Sequence, residues 1–524
     1  MRRGILQVSG IVLMLAAASV RAGEAPKPVT FVVDGATTRP ISPYIYGSNM
    51  ADWKKHKNLT LCRWGGNRIT AYNWETNASN AGSDWQHQND SLLSRSDAPG
   101  EPVRRLVQAA HDANASAVIT VPCIGYVSAD KNGDGDVNKT PDYLSKRFLV
   151  SLPKKNAPFA DRPDLTDGKV YQDEFVHHLE LAFPGSRTDP ARTIFYALDN
   201  EPDLWSGTHA RIHPKPATYD ELVRINTDYA GAIKAVAPKA MVFGFVSYGW
   251  MGFIRLQNAP DANGRDFLDF YLQQMRQAEE KAGKRLIDVL DLHWYPEARG
   301  GGVRITEDNP APAVAAARVQ APRSLWDPNY TESSWITKDV LRKPICLLPR
   351  VREKIEKHYP GTKLAITEYY YGGGAHISGA LAQADALGIM GREGVFAAAL
   401  WHVGRTDDRF IYGAFAMYRD YDGSGACFGD TGLAAQTDDV EKTGIYASKT
   451  DNGNVVLVAI NKADQAQPVT IRLRNCLVGK RAAVFQLTEA SPRPTPGKEL
   501  TVSDGQIVTE LPAQSVSTLV IQAP

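Results

Sequence analysis

The chain has 524 residues, 43% of them hydrophobic and 9% aromatic, which is enough for a large buried core and too much for one small domain. Its 59 basic residues stand against 58 acidic ones, so no global field draws it to nucleic acid or an anionic membrane, and a neutral partner is expected. Five cysteines, Cys62, Cys123, Cys346, Cys427 and Cys476, lie far apart with no CxxC pair, which suits neither a disulfide framework nor a zinc knuckle.

Residues 1–22 begin with a basic run, continue through an apolar stretch from Ile5 to Val20 and end in small residues at Ala22. This pattern predicts a secretory signal cleaved after Ala22, and the stretch is shorter than the roughly 20 residues of a membrane span. A secreted or periplasmic protein without a membrane segment after cleavage is expected. Residues 23–58, with PVTFVVDGATTRPISPYIYGSNM, read as N-terminal strands that join a β domain formed at the other chain end.

Over 59–430 the rhythm changes to short apolar strands alternating with amphipathic helices. Strands are predicted at LTLCRW, SAVITVPCIGY, RTIFYAL, AMVFGFVS, IDVLDLHWY, KLAITEY and GVFAAALWHV. Helices are predicted at EPVRRLVQAAHDANA, VYQDEFVHHLELAF, YDELVRINTDYAGAIKAVA and ALAQADALGIM. The fold class expected is α/β, a (β/α)8 TIM-like barrel. No glycine-rich dinucleotide fingerprint follows a strand, which disfavours an open doubly wound sheet. Seven strands are clear, and RFLVSL is taken as the eighth. Residues 300–350 read as a long excursion between two barrel strands. In 431–524 the helical period is lost, and GNVVLVAINK, PVTIRLRN, RAAVFQL and SVSTLVIQ predict an additional all-β sandwich domain.

Strand ends of such a barrel face one cleft. FYALDNEP ends one strand with Glu201, and LAITEYYYGGG ends another, about three strands later, with Glu368. Two carboxylates meeting from separate strands suit glycoside hydrolysis, in which one protonates the leaving oxygen and the other serves the anomeric carbon. Arg63, Trp64 and Asn67 of CRWGGN, Asn200 of LDNEP, His293, Trp294 and Tyr295 of DLHWYPEA, Tyr369 beside Glu368 and Trp401 of ALWHVG are assigned to substrate binding. An arginine and a tyrosine hydroxyl near Glu368 would keep it ionised, an asparagine would hold a sugar 2-hydroxyl, and indoles would stack on pyranose faces.

RWGGN…YNWE, YALDNEP, DLHWYPEA and ITEYYYGG, in that order and spacing, resemble glycoside hydrolase family 44, the endoglucanases and xyloglucanases. The resemblance covers nearly the whole chain after the leader. It implies a TIM-like barrel with a β-sandwich built from both chain ends, hydrolysis of β-1,4-glucan and retention of configuration. By position, Glu201 matches the acid/base and Glu368 the nucleophile. Retention requires the two carboxyl groups about 5–5.5 Å apart, against roughly 6.5–9.5 Å for inversion.

SADKNGDGDVN places Asp130, Asn132, Asp134 and Asp136 at alternate positions, as calcium loops do, but its twelfth position is Pro141 rather than glutamate. A structural calcium and a solvated acidic turn are both open readings. His177 and His178 are adjacent on a helix and face different ways. The expected function is a secreted retaining endo-β-1,4-glucanase/xyloglucanase, a monomer acting on xyloglucan and cellulose-like chains, with no cofactor for the chemistry and no nucleic-acid partner. Two rivals remain, a transglycosylase using the same intermediate and a non-catalytic glycan-binding protein.

Overall fold

The computed structural model describes residues 26–403 and 407–524; the expected leader lies outside them. Eight parallel strands close into a barrel. In chain order they are Gly47–Asn49, Leu61–Trp64, Ser116–Val121, Ile194–Leu198, Val242–Ser247, Val289–Trp294, Lys363–Tyr369 and Ala397–Leu400. Apart from Gly47–Asn49, they are largely apolar runs because helices cover the outside and side chains fill the lumen. Leu61, Val118, Phe195, Phe243, Val289 and Ala365 pack together inside. Tyr44 closes the amino-terminal end, its ring edge-on to Phe195 at 5.0 Å.

The seven clear strands match barrel strands, and the eighth does not. Phe148–Leu152 of RFLVSL pairs outside the barrel, with Tyr126–Ser128 and Lys169–Tyr171. The place is taken by Gly47–Asn49, which bonds in parallel to Ala397–Leu400 and Leu61–Trp64. The stretch read as wholly N-terminal to the barrel is therefore divided. Val29–Pro40 leaves for the β domain, while the glycine of YIYGSN enters the barrel. Three residues are too few to display alternation, so periodicity could not reveal this strand. At Gly47 a Cβ would lie 2.5 Å from the Ala398 carbonyl oxygen, which explains a glycine at so tight a seam.

The β domain is a curled ten-stranded sheet. Val29–Pro40 sits inside it, antiparallel to Thr431–Thr437 and parallel to Gln467–Arg474, so both chain ends build one core that includes Phe31, Val33, Leu457, Ile471 and Leu519. Helix Ile377–Arg392 lies between sheet and barrel and is buried from Ile377 to Gly391. Its small residues permit that approach: a Cβ at Gly388 would fall 2.2 Å from the Tyr446 ring. Asp385 on the same helix accepts the Tyr446 hydroxyl at 2.6 Å and pairs with Lys462 at 2.8 Å, so this buried charge is matched. The excursion after the sixth strand is ordered by Arg318, fully buried, which donates to the carbonyls of Ile305, Glu307, Asn309 and Tyr371 and to the Ser378 hydroxyl.

Candidate active site

The fourth strand, Ile194–Leu198, is buried along its whole length, and the chain changes character at its end. Asp199 turns back to accept the Cys123 and Ile124 amides, tying the turn to the third strand. Asp199 and Glu201 have φ of 66° and 46°, a left-handed backbone that costs free energy in residues other than glycine and clusters at working sites. The Glu201 amide donates to the Val246 carbonyl at 2.9 Å, and Val246 has φ 61°. The bent end of the fifth strand thus holds Glu201 at the lumen mouth.

Glu368 reaches the same mouth from the seventh strand. Arg63 Nη1 donates to its Oε1 at 2.6 Å and the Tyr295 hydroxyl to its Oε2 at 2.8 Å. Arg63 is itself buried and shared: Nη1 also reaches Asn49 Oδ1 at 3.1 Å, and Nη2 reaches Asn200 Oδ1 at 2.8 Å. The glycines of RWGGN follow from this packing. A Cβ at Gly65 would lie 2.3 Å from the guanidinium carbon, and one at Gly66, where φ is +95°, would lie 2.6 Å from the Trp401 ring.

His293 stands between the two acids. Its Nδ1 is 2.8 Å from Glu201 Oε1 and 3.5 Å from Glu368 Oε2. One oxygen from each glutamate and one His293 nitrogen lie within 4.8 Å of one another. The acids differ in surroundings. Burial raises Glu201 to about 7, with Arg63 opposing and Asp84 adding to the rise, whereas Glu368 has a guanidinium and a phenol directly on its oxygens. One carboxyl suited to hold a proton therefore faces one met by two donors. Burial lowers His293 to about 3, so the ring is neutral. Its Nδ1–H can donate to ionised Glu201, or a bare Nδ1 can accept from the protonated acid. These three residues also have the ligand types of a metal site, but Arg63 already neutralises Glu368 and leaves a cation little to gain.

The other assigned residues divide by strand alternation, which sends successive side chains to opposite faces. Arg63, His293 and Tyr295 point into the lumen, where Arg63 and His293 are fully buried and touch the glutamates rather than open cleft. Trp64, Trp294 and Tyr369 point outward and are corrected to core residues. Trp64 packs edge-on to Tyr72 at 5.7 Å, Trp294 is buried, and the Tyr369 hydroxyl accepts from Gln383 at 2.8 Å. Asn200, Asn67 and half-buried Trp401 gather at the mouth, with Asn200 Nδ2 at 3.4 Å from Asn67 Oδ1.

Two residues at the site, and a third next to one of them in the chain, escaped the sequence reading. Asn49 holds Arg63 and donates to the Thr367 and Leu400 carbonyls, but its strand was not recognised. Asp84 accepts from Asn67 at 3.0 Å. Trp85 beside it is 58% exposed, in a loop without strand or helix period; SDWQ between polar residues was the available signal.

The acidic loop does not fit calcium. Arg147 donates to both Asp130 oxygens, at 2.7 and 3.0 Å, and to Asp134 at 2.7 Å. Arg211 holds Asp136 through two bonds at 3.0 and 2.7 Å. Two guanidiniums occupy these carboxylates, so Asp130, Asn132, Asp134 and Asp136 form a salt-bridged turn. Asn132 contributes through its amide to Asp130 Oδ1.

The model of Glycoside hydrolase family 44 matches residues 78–298. Endoglucanase A of Paenibacillus lautus is 41% identical over 527 residues, covering 97% of this chain and 74% of that protein. The Beta-mannanase/endoglucanase A of Caldicellulosiruptor saccharolyticus is 42% identical over 482 residues, covering 86% of this chain, which spans only 36% of that longer protein. A Paenibacillus polymyxa xyloglucanase of the same family, solved with xyloglucan, superposes with a TM-score of 0.90 at 39% identity, covering 95% of this chain and 100% of that one.

Proposed function

The chain belongs to glycoside hydrolase family 44, and from that premise we propose that it cleaves internal β-1,4 bonds of glucan chains, xyloglucan foremost, with retention of anomeric configuration. The observation that carries this reading is the pair of glutamates from the fourth and seventh strands, with oxygens within 4.8 Å of one another. Oxygens this close fit the near pair of a retaining enzyme, in which a carboxylate attacks directly, better than the roughly 6.5–9.5 Å pair of an inverting enzyme, which leaves room for a water between base and anomeric carbon.

In the proposed reaction Glu368, oriented by Arg63 and Tyr295, attacks the anomeric carbon. Glu201 gives its proton to the departing oxygen. Glu201, now a carboxylate, takes a proton from the water that releases the glycosyl-enzyme, and both glutamates return to their starting states. No step needs a metal or a cofactor. We assign Asn200, held beside Glu201 by Arg63, to a sugar 2-hydroxyl, and half-buried Trp401 and exposed Trp85 to sugar ring faces further along the chain. We place the protein outside the cytoplasm, on the strength of the apolar run from Ile5 to Val20 and the small residues before Gly23. Amino-terminal sequencing of exported protein would read Gly23 first, and retention of Met1 would refute export by this leader.

The substrate reading rests on the named relatives, and mannan is the competing backbone because one of them is called a mannanase as well as an endoglucanase. Incubation with xyloglucan, carboxymethylcellulose, mannan and xylan, followed by sizing of products, tests it. Mid-chain cuts in the first two are expected. Activity confined to mannan or xylan would overturn the substrate and leave the two-glutamate chemistry standing.

A further inference from the structure

Asn200 leans from the end of the fourth strand toward the second, where Arg63 Nη2 and the Gly66 amide donate to its Oδ1 at 2.8 and 3.2 Å. The fifth strand lies on the other side of the fourth, and Tyr248 follows its last residue, Ser247. Val246 packs inside the lumen, and alternation carried two residues further turns Tyr248 the same way. Burial raises its phenol to about 12, with Asp203, Glu201 and Glu297 adding to the rise and Arg255 opposing it, so the side chain lies within electrostatic reach of the acid.

Tyr248 is fixed at both ends. Its amide donates to Asp203 Oδ2 at 3.2 Å, the oxygen that also accepts the Ser247 hydroxyl at 2.6 Å, and Asp203 belongs to the turn that carries Glu201. Helix Trp250–Arg255 presses on this junction, since a Cβ at Gly252 would lie 1.9 Å from Asp203 Oδ2. The Tyr248 hydroxyl donates to Gln257 Oε1. Gln257 is brought back to it by two consecutive left-handed residues, Leu256 and Gln257, with φ of 49° and 61°, a backbone that costs free energy. The side chain nonetheless stays half-buried. Among the described residues no other aromatic ring and no cation stacks on it, and a Cβ at neighbouring Gly249 would meet nothing within 4 Å.

The sugar attacked by Glu368 is the one whose 2-hydroxyl meets Asn200, so it lies on the Asn200 flank of Glu201 and the departing sugar lies on the flank of the fifth strand. We propose that Tyr248 binds this departing sugar, a β-linked glucose unit of the same chain, and so positions the leaving oxygen against Glu201; the assignment rests on the glucanase reading and deepens it. Two contacts are available. The phenol proton is committed to Gln257, which leaves the hydroxyl oxygen to accept from a sugar hydroxyl, and the ring offers an apolar face to a pyranose. Neither contact is charged, which suits a neutral chain. Tyr248 and Glu201 share one junction, through Asp203 and through the Glu201 amide on the Val246 carbonyl at 2.9 Å. Sugar and acid are thereby held in a fixed relation, as proton transfer to a departing oxygen requires.

The test compares two substrates of the full chain: cellohexaose, whose leaving group is a sugar, and β-cellotriosyl fluoride, whose leaving group is a single atom with nothing to offer Tyr248. Tyr248→Ala should lower kcat/KM on cellohexaose by about tenfold to a hundredfold and leave kcat/KM on the fluoride within about twofold of the parent. Tyr248→Phe, which keeps the ring and loses the hydroxyl, should fall between the two on cellohexaose and match the parent on the fluoride. A merely structural role would lower both substrates together, so equal losses in Tyr248→Ala would overturn the proposal, as would no loss on cellohexaose. Inactivity of the parent on both substrates is a distinct outcome, which would remove the glucanase reading and this assignment with it.

Discussion

Glu201 acts as an acid only while it carries a proton, and burial holds it protonated up to about pH 7. Activity as kcat/KM should therefore fall about tenfold per pH unit above about 7. Asp84 contributes to the rise, so Asp84→Asn should move this alkaline limb to lower pH. A limb that stays in place or moves upward would contradict the electrostatic account. Glu201→Ala should slow cleavage of xyloglucan by about 10²–10⁴-fold, yet largely retain the first step on an aryl glycoside whose leaving group needs no proton. Glu368→Ala should lose both. Equal losses in the two variants on the activated substrate would mean that the roles are misassigned. That Glu201 and Glu368 stand at strand ends was legible in the sequence because carboxylates closing buried strands are costly without a purpose. Arg63 and His293 were legible as site residues but not in their roles, since their contacts depend on which way each strand faces the lumen.

Alternation within strands decided most of what the sequence reading missed. Trp64, Trp294 and Tyr369 each adjoin an inward-facing residue, Arg63, His293 and Glu368, and a motif quoted as a string does not separate the two faces. Asn49 was missed because its strand, Gly47–Asn49, is only three residues long. The long amphipathic helices were readable, as in Tyr219–Val236, where Thr218 and Glu221 close a capping box. Helix Ile377–Arg392 was readable as a helix, but its small residues gave no hint that it carries the sheet domain on one side. Gly388→Val should lower the melting temperature by several degrees, because a Cβ there overlaps the Tyr446 ring. An unchanged melting temperature would show that the two layers can part without cost. The loop with Trp85 has no periodic signal at all. Trp85→Ala should raise KM on xyloglucan several-fold with kcat nearly constant, and a fall in kcat alone would remove it from sugar binding.

Across the whole molecule, buried ionisable groups link stability to pH in a definite direction. Burial raises Glu201 and Asp291 to about 7 and Asp203 to about 8, so the folded state binds these protons more tightly than the unfolded chain. Burial lowers His56 and His209 to about 4 and His293 to about 3, which makes the unfolded chain the better proton binder below about 6.5. Above both regimes, from about pH 7.5 to 8.5, the histidines are largely neutral in both states while the raised acids still titrate. Stability should accordingly decline as pH rises through that window. A melting temperature higher at pH 8.5 than at pH 7.5 would contradict this. The two-part architecture was legible from the loss of helical period near residue 430, whereas the division of the N-terminal stretch between sheet and barrel depends on long-range pairing that local pattern does not encode. The close pairing of two glutamates from distant strands is the feature on which the chemistry turns. Proton NMR of the first product released from cellohexaose tests it most directly: the account predicts that the β anomer forms first and then mutarotates, and initial appearance of the α anomer would contradict it.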